Sequence, residues 1–208
     1  MFPSHEWLPR YRDNRLNMIH EGTAGIHAKT LLGRKVARGN AAPLFAAMRA
    51  SADAADAEAA ALEEASQAGS GGGAGPAAAG SGAWAAAVLR EGASAVRRSC
   101  GVVERVTANL TASKAAHARG LDNAHEYLQL FGFTVVGWVW LRMATAAASG
   151  LARPNSGGGG EGDADYYTGK LQTSRFFWRH ELPRGTAHAA AVLESLDATV
   201  PEMQPGWF

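Results

Sequence analysis

The chain has 208 residues, with 20 Lys and Arg against 19 Asp and Glu, so its formal net charge is +1. That balance gives no broad field for holding a phosphate backbone and argues against a nucleic-acid partner. The composition is rich in Ala, Leu, Arg and Glu and shows no alternating apolar stretch bounded by turn signals, so an all-α helical bundle is expected.

The single cysteine, Cys100, has no disulfide partner and no neighbour at metal-ligand spacing. It fits a reducing, intracellular setting and reads as a small buried residue on a helix. The opening residues, MFPSHEWLPRYRDNRLN, have neither an apolar core region nor an Arg- and Ser-rich, acid-poor amphipathic stretch, so they resemble no export or transit signal and read as the interior of a domain. Mitochondrial, peroxisomal and cytoplasmic locations all stay open.

In chain order, Thr23 is expected to cap a helix through AGIHAKTLLGRKVAR, whose apolar side carries Ile26, Leu31 and Val36, and Gly39-Asn40 stops it. A second helix starts at Pro43, a favoured first-turn residue, and its later half is Ala-rich and weakly anchored. Residues 66–83 and 153–164 are dominated by Gly, Ser and Ala, and read as flexible inserts with little apolar side chain to order them. A third helix over 84–118 carries Trp84, Val88, Leu89, Val96, Val103, Val106 and Leu110 at helical intervals, with Gly120 ending it.

The stretch 122–148 supplies a fourth helix. Residues 128–148 are almost long and apolar enough to span a bilayer, but Gln129, Thr134 and Arg142 weigh against that, and the expectation is a core helix and no membrane span. A fifth helix covers 166–181 and stops at Pro183, and a short sixth covers 186–196. The remainder, TVPEMQPGWF, has two prolines and two aromatic residues and reads as an extended tail.

The segment 11–36 carries the most chemistry. It reads as a helix ending near Asn17, a break at His20-Glu21-Gly22, and a new helix opening at Thr23. A carboxylate on such a break is held by two rigid elements without belonging to either helix face. Gly22 lets a ligand approach the backbone, and the free amides of the next helix favour an anionic or carbonyl oxygen. On spacing alone an ordinary helix corner capped by Thr23 explains the same residues.

Arg12-Asp13 followed by Ile19-His20-Glu21-Gly22-Thr23 resembles the helix-loop-helix near the C-terminus of acyl-CoA dehydrogenases, with His20 where many members have Tyr. The later runs EYLQLFGFTVVGWVWL, YYTGKLQTSRFFWRHELP and LDATVPEMQPGWF resemble the extra helical C-terminal domain of the methylmercaptopropionyl-CoA dehydrogenase-like branch. The resemblance implies that residues 1–39 end the flavin-binding bundle, that 40–198 form the extra domain, and that 199–208 are a tail. It makes Glu21 the base that removes the α-proton of an acyl-CoA thioester while the β-hydrogen leaves as hydride to FAD. Gly22 is then placed near the acyl chain, with Thr23, Ala24 and Gly25 near the flavin nucleotide.

By the same resemblance the complete enzyme is a homo-oligomer, and this chain, expected to be N-terminally truncated, needs upstream domains or a homologous subunit for activity. A helical interaction module without catalysis is the competing expectation. Four further features carry less. His20 and His27 lack a third metal ligand, so no metal site is expected. Asn109-Leu110-Thr111 falls within a helix, and Gly71 to Gly75 lacks the Lys-Ser/Thr of a phosphate loop. The run Arg175 to Arg179, with its three aromatics, reads as core with snorkelling arginines rather than as a stacking platform.

Overall fold

The computed structural model describes residues 23–69, 76–152 and 161–194. Among the described residues there is no strand. Helix α1 (Ala24–Thr30) runs directly into a π-helical turn (Leu31–Val36), followed by α2 (Ala42–Gly69) and α3 (Pro76–Thr111). Then come α4 (Lys114–Asp122) and α5 (Ala124–Ala152). Finally α6 (Glu161–Phe176) passes through a second π-helical turn (Phe177–Glu181) into α7 (Leu182–Glu194).

The centre of the bundle is α5, which packs against α1, α2, α3, α6 and α7. Tyr127, Leu130, Thr134, Gly137, Leu141, Ala144 and Ala148 are buried along it, and Phe131, Phe133, Val135, Trp138 and Trp140 lie half-buried on its flanks. By length and composition this helix could cross a membrane. About 33% of its most apolar window is buried inside the bundle, and the elements packed around it fit a core helix, with Val136 and Val139 among its exposed apolar residues.

Helices α2 and α3 form an antiparallel pair, because contacts that rise along one fall along the other. Arg49 pairs with Glu104, the Cys100 thiol touches the Met48 sulfur at 3.3 Å, Arg97 reaches Asp53 and Asp56 at 2.6 and 2.7 Å, and Arg90 reaches Glu63 at 2.6 Å. The Ala-rich half of α2 is therefore better anchored than its composition suggests. Ala52, Ala55, Ala59 and Leu62 are all buried, since small side chains let two helix backbones approach closely and bury the larger residues opposite. Burial pushes the Cys100 thiol up to about 11, as an apolar site does to any group that must acquire charge.

The helix ends follow local rules. Gly39, at φ 77°, ends the first π turn, with its N–H on the Val36 carbonyl and that of Asn40 on the Lys35 carbonyl. That is a Schellman closure, which needs a residue without a Cβ penalty in the left-handed region. Ser113 caps α4 by accepting the Ala116 N–H at 3.0 Å, so the single helix expected over 84–118 is broken at residues 112–113. Gly120 sits buried inside α4, where its missing Cβ leaves room for Leu110, and does not end it.

Two further expectations need correction. Residues 66–69 and 76–83 are helical, as are 161–164, so most of the first insert and the end of the second belong to helix ends, and 70–75 and 153–160 fall outside the described residues. Pro183 does not stop the fifth helix. A proline inside a helix lacks an N–H and crowds the carbonyl four residues earlier. Here it follows a turn bonded five residues apart, Leu182 N–H to the Phe177 carbonyl, and such wide turns accommodate it. The tail 199–208 lies outside the described residues.

Large aromatic residues cross the bundle over glycines. A Cβ on Gly92 would lie 2.3 Å from the Trp178 ring, and Gly150 and Gly185 stand in the same way beneath Tyr167 and Phe133. The Trp178 indole N–H also donates to the Gly137 carbonyl at 3.1 Å, so the ring cannot move aside without losing a buried bond. Gly92→Val is therefore expected to cost about 1–3 kcal/mol through overpacking. Gly101→Ala, where a new Cβ meets nothing within 4 Å, should stabilise the mid-helix position by roughly 0.5–1 kcal/mol. Urea denaturation of the two variants beside the parent checks both signs.

Candidate functional site

The site residues expected from sequence divide at the first described position. Glu21 and Gly22 lie outside the described residues, whereas Thr23, Ala24 and Gly25 form the opening of α1. Thr23 is the N-cap, with φ −70° and ψ 73°, but its side chain makes no cap bond. Its carbonyl instead accepts the Ile26 and His27 N–H groups at 2.9 and 3.0 Å. The Thr23 hydroxyl cap that the sequence suggests is thus not formed, and the Thr23 carbonyl simply accepts the first bonds of the helix.

All three residues are exposed, and Gly25 has no neighbouring atom within 4 Å of where a Cβ would stand. Ile26 is 63% exposed. The opposite side of this segment is fixed, because Ala28 and Leu32 are fully buried and α1 packs on α5. Gly33 lets α4 close in, with Leu121 at 3.4 Å and the His117 Nε2 at 3.9 Å from its virtual Cβ. The result is a firmly seated helix start whose first three residues are exposed and whose third amide, that of Ile26, is taken up by the Thr23 carbonyl. Chemically it offers donors to an anionic or carbonyl oxygen and one apolar side chain beside them. His27 is exposed, while His20 lies outside the described residues. Among the described residues no group of three or more His, Cys, Asp or Glu is gathered for a metal.

A feature that sequence reasoning missed is a groove of about 360 Å³ between α3 and α7. Its floor includes Val102, Trp178 and Leu182, with Arg98 and Arg105 on the rim. The two walls come from distant parts of the chain, so no local pattern announces it. The Ser99 hydroxyl at its base is paired with Thr134 and the Thr186 hydroxyl donates to the Leu182 carbonyl, so both donors are already used.

The Arg175 to Arg179 run resolves into separate roles. Trp178 is buried, Phe177 packs against Phe133 and Trp140, and Phe176 is exposed with its ring 4.8 Å from that of His180. The two arginines converge on Glu91: Arg175 Nε donates at 3.1 Å and Arg179 Nη2 at 2.9 Å, with Arg179 Nε on the other oxygen. The bonds from Arg179, against an opposing effect of burial and with help from Arg175, hold the Glu91 carboxyl below its ordinary range. The run therefore ties the second π turn to α3.

Residues 34–204 match the family described as acetyl-CoA dehydrogenase C-terminal like. The chain belongs to that family. It is also 27% identical, over 205 residues, to 3-methylmercaptopropionyl-CoA dehydrogenase of Ruegeria pomeroyi, an alignment that covers 90% of this chain and 27% of the relative. The chain thus spans about a quarter of the length of that relative. No solved structure matches. The family match begins within the first π turn, so it does not include the Glu21 to Gly25 segment.

The Glu91 fork gives this family domain a pH signature. A carboxyl whose folded pKa is depressed adds stability above its unfolded pKa, and that stability is lost as pH falls through the folded value. Between neutral pH and the ordinary glutamate range near 4.3 the contribution should be constant, and below that range it should fade. Glu91→Gln is expected to lower stability at pH 7 by about 1 kcal/mol and to flatten the acid limb of the stability profile. Denaturant midpoints from pH 7 down to pH 3 measure both effects.

Proposed function

We propose that this chain is the C-terminal portion of a flavin-dependent acyl-CoA dehydrogenase that oxidises an acyl-CoA thioester across its α and β carbons. Family membership supports this reading, and the observation that carries it to particular residues is the exposed, rigidly backed start of α1 immediately after Glu21-Gly22. In this reading Glu21 is the general base. An α-proton next to a thioester is too weakly acidic for water to remove quickly, and a carboxylate in a desolvated pocket is a stronger base than one in water. Backbone donors at the helix start favour the developing enolate oxygen, with Gly22 beside the acyl chain.

The first turn of α1 suits a contact with FAD, because Thr23, Ala24 and Gly25 are exposed and no side chain crowds Gly25. FAD, when bound, supplies the acceptor for the β-hydride. These residues offer one wall, and a dinucleotide pocket buries most of its ligand, so the remaining walls belong to upstream sequence or to another subunit of a homo-oligomer. The substrate is an acyl-CoA, and the reading includes no nucleic acid, metal or membrane span.

In a complete enzyme carrying this chain, Glu21→Gln should retain flavin and lose roughly four or more orders of magnitude in the rate of flavin reduction by acyl-CoA. Near-normal reduction would overturn the assignment. The 208-residue chain alone should bind FAD no better than millimolar, since one loop cannot offset an association cost of about 4–15 kcal/mol. Titration of the purified chain followed by an acyl-CoA-dependent dye assay measures this, and a yellow, active preparation would show that the chain carries a complete site.

A further inference from the structure

Helix α5 carries two seams. The inner one, Tyr127, Leu130, Thr134, Gly137, Leu141 and Ala144, is buried and advances in alternating steps of three and four residues. Two residues further on, and so about 200° around the axis, the same steps give Gly132, Val136, Val139, Met143 and Ala146. On an ordinary surface helix that side is polar. Here every one of these positions is apolar, with Val136 and Val139 45% and 41% exposed, Ala146 exposed, and Gly132 and Met143 half-buried. Only 33% of the most apolar window of the helix is buried.

Steps of four, three, four and three residues make the narrow seam by which one helix packs along another. From Gly132 to Ala146 the outer seam runs about 21 Å, and one turn later Tyr167 covers Gly150 and closes it. The seam is complementary to itself. Turned end for end about the point between Gly137 and Trp138, Gly132 meets Met143 and Val136 meets Val139. A Cβ at Gly132 would meet nothing within 4 Å, so a second Met143 has a hole to fill. A closed two-fold interface demands this reciprocity, in which the first residue of a pair touches the second on both copies.

Charge agrees with the same arrangement. Arg142 is the one charged residue between Gly132 and Ala146, and its guanidinium lies 5.4 Å from the centre of its own Trp138 ring. End-for-end pairing sets it opposite Phe133 and not opposite its own copy, so no like charges meet across the seam. We propose that two copies of this chain pair through the outer seams of α5, antiparallel, about a two-fold axis between Gly137 and Trp138. The pairing names a contact surface for the homo-oligomer of the preceding section, and it rests on the packing of α5 and not on the chemistry assigned to Glu21. A seam on one helix is smaller than the roughly 800 Å² per partner of a standard interface, so the dimer forms and dissociates with concentration.

Sedimentation equilibrium of the whole chain from micromolar to millimolar concentration tests this without flavin or acyl-CoA, and so apart from the catalytic assignment. The average mass should rise from 21.7 kDa and level at twice that value. Val136→Glu or Val139→Arg alone buries an unpaired charge against the partner's valine and should weaken association about tenfold or more. In the double variant each new carboxylate faces the partner's new guanidinium, and association should return, whereas parallel pairing would set like charges together. Both positions are exposed, and unchanged helical circular dichroism establishes that each variant is folded. A mass of 21.7 kDa throughout, growth beyond two copies, a single substitution without effect, a double variant that stays monomeric, or flotation with phosphatidylcholine vesicles in place of pairing each overturns the proposal.

Discussion

Much of this fold answers to the need of α5 for cover on more than one side. A 29-residue helix with apolar residues around most of its circumference cannot be satisfied by one neighbour, as an amphipathic helix can. It is met by the helices and π turns packed around it. Several neighbours also hold α5 by a hydrogen bond as well as by packing. Ser99 of α3 pairs with Thr134, Thr107 with Tyr127 at 2.6 Å, Ser51 and Glu58 of α2 with Trp138 and Ser149 at 2.8 and 2.6 Å, and Trp178 with the Gly137 carbonyl. Apolar contact supplies most of the stabilisation, and these directional bonds fix the rotation of each neighbour about its own axis.

The same logic explains why the candidate catalytic segment is well backed but exposed. Helix α1 is anchored through Ala28 and Leu32, and its other side carries Ile26 and the open first turn. Ile26, left 63% exposed, stands on that open side.

Most of the helices could be read from sequence, and the reasons for the misses are particular. Periodicity found α2, α3, α5 and α6 because their buried residues recur every three or four positions. It failed at residues 112–113, where the helical pattern continues across a break and only Ser113, a modest cap signal, marks it. It failed at Pro183 because the usual stop signal is overridden by a π turn that has no sequence signature. The Ala-rich half of α2 was undervalued because alanine contributes little burial itself, and its worth lies in what it lets approach. At the candidate site, the opening of α1 at Thr23 was legible, whereas the absence of a cap bond from its hydroxyl was not, since a threonine there normally caps with its side chain. The α3–α7 groove was invisible because its walls meet only in three dimensions.

The two π turns bear on how the chain can tolerate change in length. Each accommodates one residue more than an α-helical turn, and one residue corresponds to about 100° of rotation around a helix axis. In the turn at Phe177–Glu181 that surplus lets α6 and α7 behave as one continuous rod while presenting faces that are out of phase with each other. Leu171 before it, Trp178 within it, and Leu182 and Leu193 after it all reach the interior. Removing a single residue here would regularise the helix and yet rotate thirteen residues of α7 away from α5, carrying Pro183 into an ordinary turn that cannot hold it. Local ideality and global fit oppose one another at this point, and the fold keeps the local irregularity so that both halves of the rod stay in register with the core.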